Sequence, residues 1–341
     1  MRVAVYYNNK DIRIEERPTP SINSGEILMK VEACGICGSD TLEWYRVAKA
    51  PVVLGHEVAG IVEKVGEGVR KFKPGDRITA SHHVPCNTCY YCLRGYHTVC
   101  DTLRKTRFDP GGFSEYIRIP SINVDRGVFL LPEEMSFEEA TFTEPLACVV
   151  RGQRIAGMRP GDSVLVIGCG VAGLLHIQLA RVSGARFIGA VDIVKSRLKA
   201  AEKFGADFTL LAQENLPEFF KEANKGKLAD LVIICTGAES AFPLAFKSVE
   251  RGGTILIFAP TYPDTRFPLP INELFFNNIK ITTSYAGSPS DFRIALDLIS
   301  SKRVKVKEMI THRLSLKEII KGFQLVAEAK DSLKVLIFPH K

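Results

Sequence analysis

The chain has 341 residues, more than one ordinary hydrophobic core holds, so two domains are expected. Its 46% apolar and 24% charged residues are those of a soluble globular protein. The net charge of +7 is modest and scattered, which argues against a nucleic-acid tail or a basic membrane patch.

The N-terminus, "MRVAVYYNNKDIRIEERP", has no apolar stretch of signal-peptide length. No window approaches the roughly 18 apolar residues of a transmembrane helix. A cytoplasmic chain with reduced thiols is the expectation, so its nine cysteines point to metal or catalysis rather than disulfides. Through about residue 125 the sequence is a series of short β-like runs broken by Gly and Pro: "EILMKVEAC", "VAGIVEKVGEGV", "DRITA" and "SEYIRIP". That texture predicts a barrel-like or sandwich-like β domain. Near residue 135 it changes. "SFEEATFTEPLACVVRGQRIAG" has helical apolar spacing and an N-cap candidate in Ser136.

Strands and helices then alternate. Strand "SVLVIG", helix "AGLLHIQLARVSG", strand "FIGAVD", helix "VKSRLKAAEKFG" and strand "ADFTLL" lead through a further helix to strand "ADLVIICTG". Helix "SAFPLAFKSVERGG" and strand "TILIFA" close the series. Apolar strands alternating with helices predict a parallel, doubly wound sheet. Beyond about residue 287 come a helix, "DFRIALDLISS", and strands ending in "KVLIFP". The basic stretch Lys302 to Lys307, "KRVKVK", alternates with valines and reads as an amphipathic strand with a solvated face.

Three groups of residues carry chemistry. Gly168-Cys169-Gly170-Val171-Ala172-Gly173 follows the strand "VLVI" and opens a helix, the context in which GxGxxG binds a dinucleotide pyrophosphate. Asp192 ends the next strand, 24 positions after Gly168, where a carboxylate accepts from the ribose 2′-OH of NAD. Lys195 and Arg197 follow and leave room for NADP. Thr236, Gly237 and Ala259 lie just past later strands, on the side where a parallel sheet binds its ligand.

The second group is Cys86-x2-Cys89-x2-Cys92-x7-Cys100. Four thiolates at this spacing suit a closed tetrahedral zinc site with a structural role. A nucleic-acid-binding zinc module, using Arg94, Arg104, Lys105 and Arg107, and an iron–sulfur cluster are the competing uses. The third group is scattered: Cys37, His56-Glu57 in "LGHEVAG", and Glu144 in "TEPLA". A thiolate, an imidazole and a carboxylate would give a catalytic zinc three protein ligands and one open position. Taken singly, each has an ordinary structural explanation, and spacing does not show that they converge.

At this point the chain resembles the zinc-containing medium-chain dehydrogenases. Gly55, His56, Glu57, Gly60, Gly66 and Val69 meet the signature G-H-E-x2-G-x5-G-x2-[IV] in full. "CGICGSD", the four-cysteine lobe, "PGDRI", "GGFSEY", "EPLA" and the glycine loop occur in the family's order. Within the family the chain is most similar to the sorbitol (polyol) dehydrogenase branch, through "CGICGSD", "EPLA", "ICTGAES" and "VKVKEMITHRLSLKEIIKGF". The resemblance implies an α/β protein. A GroES-like β-barrel catalytic domain (1–145 and 288–341) would hold an inserted Rossmann NAD-binding domain (146–287), with the active site in the cleft.

The resemblance further implies NAD and two zinc ions, one catalytic and one structural. Cys37, His56 and Glu144 would ligate or attend the catalytic zinc, with Glu57 as alternative ligand or holder of the zinc water. Asp40 would orient His56, and Ser39 would take the proton from the substrate hydroxyl. Animal relatives carry an Arg-Tyr pair in the substrate pocket; here Ser284-Tyr285 stands there, so only Tyr285 carries over. Leu42 occupies the place of a histidine that often ends the proton relay, so that relay would end in water, the cofactor ribose, Glu43 or Glu57.

The implied function is hydride transfer between NAD and a secondary alcohol or ketone of a polyol or sugar. Simple alcohol or diol, L-threonine and sugar-phosphate alcohol dehydrogenases are the alternatives. The resemblance also implies a homo-oligomer, dimer or tetramer, with no nucleic-acid or membrane partner. Cys34, Cys148, Cys169 and Cys235 read as small buried apolar residues.

Overall fold

The computed structural model describes every residue except Gln213, Glu214 and Asp331. The chain divides into two compact units, Met1–Ala147 with Ala286–Lys341, and Cys148–Tyr285. Among the described residues, no helix is long and apolar enough to cross a membrane.

The first unit is built on a seven-stranded mixed sheet. Its central strand, Ile27–Gly35, pairs antiparallel with Glu57–Val65, Tyr116–Ile119 and the C-terminal Lys334–Phe338. Its pairing with Glu57–Val65 has two register shifts, one leaving Glu63 extra on that strand and one leaving Glu32 extra on Ile27–Gly35. Such bulges raise local twist and curl a sheet towards a barrel. Ile27, Met29, Val31, Val58, Val62, Ile78, Ile117, Val335 and Ile337 share one buried cluster, so both ends of the chain make one core. Burying each such side chain stabilises the unit by roughly 1.5–3 kcal/mol. Gly60 permits the tightest strand approach; a Cβ there would sit 2.0 Å from Lys30 O.

Ser136 caps Phe137–Ala140: its hydroxyl accepts from Glu139 N, and Glu139 accepts in return from Ser136. The single helix expected over this stretch is two, Phe137–Ala140 and Thr143–Ala156, separated by Thr141 and the fully buried Phe142. Residues 302–307 are not a strand. Lys302 has φ +59°, which breaks an extended run, although Val304 and Val306 still pack inward while the basic residues stay exposed.

The second unit is a six-stranded parallel sheet. Across it run Phe208–Leu211, Phe187–Asp192, Ser163–Ile167, Ala229–Ile234, Val249–Ile257 and Lys280–Thr283. This is the doubly wound order 3-2-1-4-5-6. The central strand Ser163–Ile167 is buried throughout, because helices cover both faces. One boundary differs from expectation. The helix Ala241–Ser248 stops early, and the next strand begins at Val249. Val249 pairs with Ala229, Thr254 pairs with Leu231, and the residues between form a bulge turned by Gly252 at φ +75°.

Candidate active site and metal centres

Cys37 caps the turn Gly38–Thr41 that follows the central strand, and His56 directly precedes the strand Glu57–Val65 beside it. Gly55 makes that entry possible: its φ is +96°, and a Cβ would lie 2.7 Å from Phe113 N. Ligand atoms of Cys37, His56 and Glu57 all lie within 4.8 Å of one another. Glu144 does not belong to this group. It lies buried in the first turn of Thr143–Ala156.

Asp40 is fully buried beside these residues. Cys37 N donates to Asp40 Oδ2 at 3.1 Å, and His56 Nδ1 lies 3.4 Å from Asp40 Oδ1. A carboxylate on Nδ1 fixes the tautomer that leaves Nε2 for a metal. Burial opposes ionisation of Asp40, but the charge and hydrogen bond of His56 outweigh it and hold the carboxyl below its usual range. Ser39 Oγ donates to Cys37 Sγ at 3.4 Å and accepts from Arg46 Nη2 at 3.0 Å. Arg46 also donates to Ser39 O and Asp40 Oδ1, at 2.9 and 3.2 Å. Glu43 Oε1 accepts from Asn9 N at 3.1 Å.

Sequence reasoning missed Lys334. It is fully buried on the last strand, its ammonium paired with Glu57 Oε2 and 3.5 Å from Ile36 O. Burial opposes its charge, but Glu57, Cys37 and Glu144 together hold its pKa above the usual lysine value. Gly35 makes room for the pair: a Cβ there would lie 2.1 Å from Glu57 Oε2 and 2.7 Å from Lys334 Cε. Only folding brings Glu57 and Lys334 together, 277 positions apart. Arg46 was missed for a different reason: an exposed-looking arginine in a short helix gives no sequence signal.

The four cysteines Cys86, Cys89, Cys92 and Cys100 also converge, with all sulfurs within 4.8 Å of one another. With zinc–sulfur bonds of about 2.3 Å, the edges of a tetrahedron are about 3.8 Å. Cys86 Sγ lies 3.6 Å from Cys100 Sγ and 4.0 Å from Cys92 Sγ. Backbone N–H groups of Cys89 and Cys86 donate to Cys86 Sγ and Cys100 Sγ, at 3.3 and 3.4 Å. Hydrogen bonds from Thr88 bring Cys86 down to about 5, whereas burial pushes Cys92 up to about 12. Four sulfurs this close repel one another as thiolates, and a divalent cation relieves that repulsion. The donor set and spacing therefore fit zinc.

Of the remaining cysteines, Cys34 and Cys169 are fully buried. Cys148 and Cys235 are only partly buried, a correction to their expected place in the core.

In the second unit the glycine loop follows Ser163–Ile167 and leads into Val171–Val182. Gly168 has φ +98°, and a Cβ on Gly173 would sit 1.9 Å from Gly168 O. A Cβ on Gly170, by contrast, would meet nothing nearer than Arg197 Nη1 at 3.9 Å, so the loop is open on the side facing the helix N-terminus. Asp192 Oδ2 accepts from Cys169 N at 2.7 Å and Oδ1 from Val194 N at 2.9 Å. The carboxylate keeps further lone pairs for a ribose hydroxyl. Arg197 Nη1 stands 4.0 Å from it. Thr236 Oγ1 accepts from Ala238 N, and Gly237 passes close to Pro260 O, each just beyond a strand end. Ala259 follows the strand Val249–Ile257. Tyr285, at the end of this unit, is half-exposed.

Comparison with known families now identifies the class. Residues 23–132 match the alcohol dehydrogenase GroES-like domain and residues 171–301 the zinc-binding dehydrogenase family. The chain is 32% identical to mouse (Mus musculus) sorbitol dehydrogenase, over 98% of this chain and 94% of that one. It is 32% identical to D-xylulose reductase A of Aspergillus oryzae, over 96% and 93% of the two chains. Its fold matches that of the Escherichia coli alcohol dehydrogenase rspB, solved with NADH. That match has TM-score 0.89 and 28% identity, covering 99% of each chain. The chain belongs to the zinc-containing medium-chain dehydrogenases, on the sorbitol dehydrogenase-like side. It is an oxidoreductase of that family, whose cofactors are zinc and a nicotinamide dinucleotide.

Proposed function

We propose that this chain interconverts a secondary hydroxyl of a polyol or sugar and the corresponding ketone, using NAD. The observation that carries the reading is the Cys37–His56–Glu57 group braced by Asp40, in a chain similar throughout its length to sorbitol dehydrogenase and D-xylulose reductase. In this reading the first unit is the catalytic domain and the second the NAD-binding domain. Cys37 and His56 hold the catalytic zinc. Glu57 stands nearer to them than Glu144 and is the carboxylate better placed to join them. Cys86, Cys89, Cys92 and Cys100 hold the structural zinc.

Zinc, when bound, acidifies a coordinated hydroxyl and polarises a coordinated carbonyl. Asp40 keeps His56 in the tautomer and orientation that zinc needs. Arg46 donates to the Ser39 hydroxyl, and a guanidinium has no lone pair to accept a proton in return. The one proton of Ser39, donated to Cys37 Sγ in this structure, is then what it can turn to a substrate oxygen, and the released proton leaves through water or the cofactor ribose. Gly168, Gly170, Val171, Ala172 and Gly173 cradle the pyrophosphate. Asp192 and Arg197 flank the adenosine ribose, Thr236, Gly237 and Ala259 line the cofactor's path, and Tyr285 serves the substrate.

Two further points belong to this reading. The strand Lys280–Thr283 ends its sheet, and the neighbouring Ile271–Phe276 exposes Phe275 and Phe276 at 76% and 75%. An open sheet edge beside bare aromatics favours a homo-oligomer. The reduced thiols of a cysteine-rich zinc protein favour a cytoplasmic setting.

The test is a substrate panel with NAD and with NADP: xylitol, D-sorbitol, 2,3-butanediol, 2-butanol, L-threonine and a sugar-phosphate alcohol. Highest kcat/KM for a polyol with NAD supports the proposal. Preference for L-threonine, a simple alcohol or a phosphorylated substrate would replace it.

A further inference from the structure

Two adjacent histidines, His82 and His83, follow the strand Arg77–Ala80, and the chemistry above uses neither. His83 is braced, with Nδ1 3.1 Å from Thr106 O. His82 is placed with equal care but left unfinished. Asn123 Nδ2 donates to His82 O at 3.1 Å and fixes its backbone. Its ring lies against those of His56 and His83, with centroids 4.8 and 3.8 Å away. Yet His82 Nδ1, shut off from solvent, has no hydrogen-bond partner among the described residues. Buried polar atoms in folded proteins are nearly always paired, so an exception touching a candidate metal ligand marks a place for a ligand atom. An imidazole with one ring proton offers one donor and one acceptor, the same pair that a hydroxyl offers.

We propose that His82 is a substrate-reading residue, whose imidazole hydrogen-bonds a hydroxyl next to the carbon that reacts at the Cys37–His56 centre. The inference rests on the polyol reading above. A substrate oxygen seated at that centre brings its neighbouring hydroxyl to the ring packed on His56. A monohydric alcohol brings nothing there and leaves the nitrogen unpaired. Polar sites reject analogues that lack the expected hydroxyl more strongly than apolar pockets discriminate by size.

The experiment compares kcat/KM for xylitol and for 2-butanol in wild type, His82→Phe and His82→Asn, with zinc content measured on each. Phe keeps the ring and loses both nitrogens; Asn keeps a donor and an acceptor. The expected result is a fall of at least about tenfold in the xylitol/2-butanol ratio for His82→Phe, and a partial recovery in His82→Asn. A ratio unchanged in His82→Phe with zinc retained would overturn the inference and leave the polyol reading standing. Wild-type enzyme that oxidises 2-butanol and no polyol would overturn both. If His82→Phe loses its zinc, His82→Asn with zinc retained decides: a lowered xylitol/2-butanol ratio supports the role, and a ratio equal to that of wild type removes it.

Discussion

Lys334 shows how much one side chain can carry. Its ammonium is 1% exposed and neutralises Glu57, itself 1% exposed, beside Cys37 and Glu144. A buried pair of this kind adds little net stability over an apolar pair, but removing one partner strands the other charge. Lys334→Met should therefore lower stability by about 3–5 kcal/mol, read from the urea unfolding midpoint. Adding Glu57→Gln should return much of the loss, and a single variant as stable as wild type would show that the pair does not form in solution. Cys37→Ser acts on chemistry instead of stability. It should abolish turnover while NADH still binds, as followed by cofactor fluorescence; full turnover would remove Cys37 from the metal centre. Cys37 and His56 were visible in the sequence because they sit in recognisable motifs. Lys334, Gly35, Arg46 and His82 were not, because each matters through a neighbour far away in the chain or through the lack of one.

The elements divide into those that carry their own instructions and those that need a ligand. The turn from Ser163–Ile167 into Val171–Val182 is of the first kind, since its glycines are dictated by backbone approach. Gly173→Ala would push a Cβ into Gly168 O and should weaken NADH binding by more than about tenfold. Unchanged affinity would mean that the cofactor sits elsewhere. The cysteine lobe is of the second kind. Among the described residues its buried apolar cluster is Cys92, Cys100 and Leu103, too small to hold the loop without metal. Cys89→Ser should release the structural zinc and lower the melting temperature by several degrees; a melting curve identical to wild type would speak against a structural site. The capping box at Ser136 was legible because N-cap signals are local. The break at Thr141–Phe142 was not, because burial of Phe142 decides it.

At the scale of the whole molecule, Phe275 and Phe276 stand exposed just before the edge strand Lys280–Thr283. If that edge joins two copies, Phe275→Glu with Phe276→Glu should reduce the sedimenting mass to a single chain. An assembly of wild-type size in that variant would place the interface elsewhere. The sequence by itself determined the family, the alternation of strands and helices in the second unit, the glycine loop and the four-cysteine lobe. These are local patterns, fixed by periodicity, backbone conformation and ligand spacing within a few residues. Only the tertiary structure decided that Glu57 lies with Cys37 and His56, that Lys334 neutralises it, that residues 302–307 are not a strand, and that His82 has an unpaired nitrogen. Each of these depends on which distant groups share a buried, weakly screened space, and neighbouring letters in a chain do not record that.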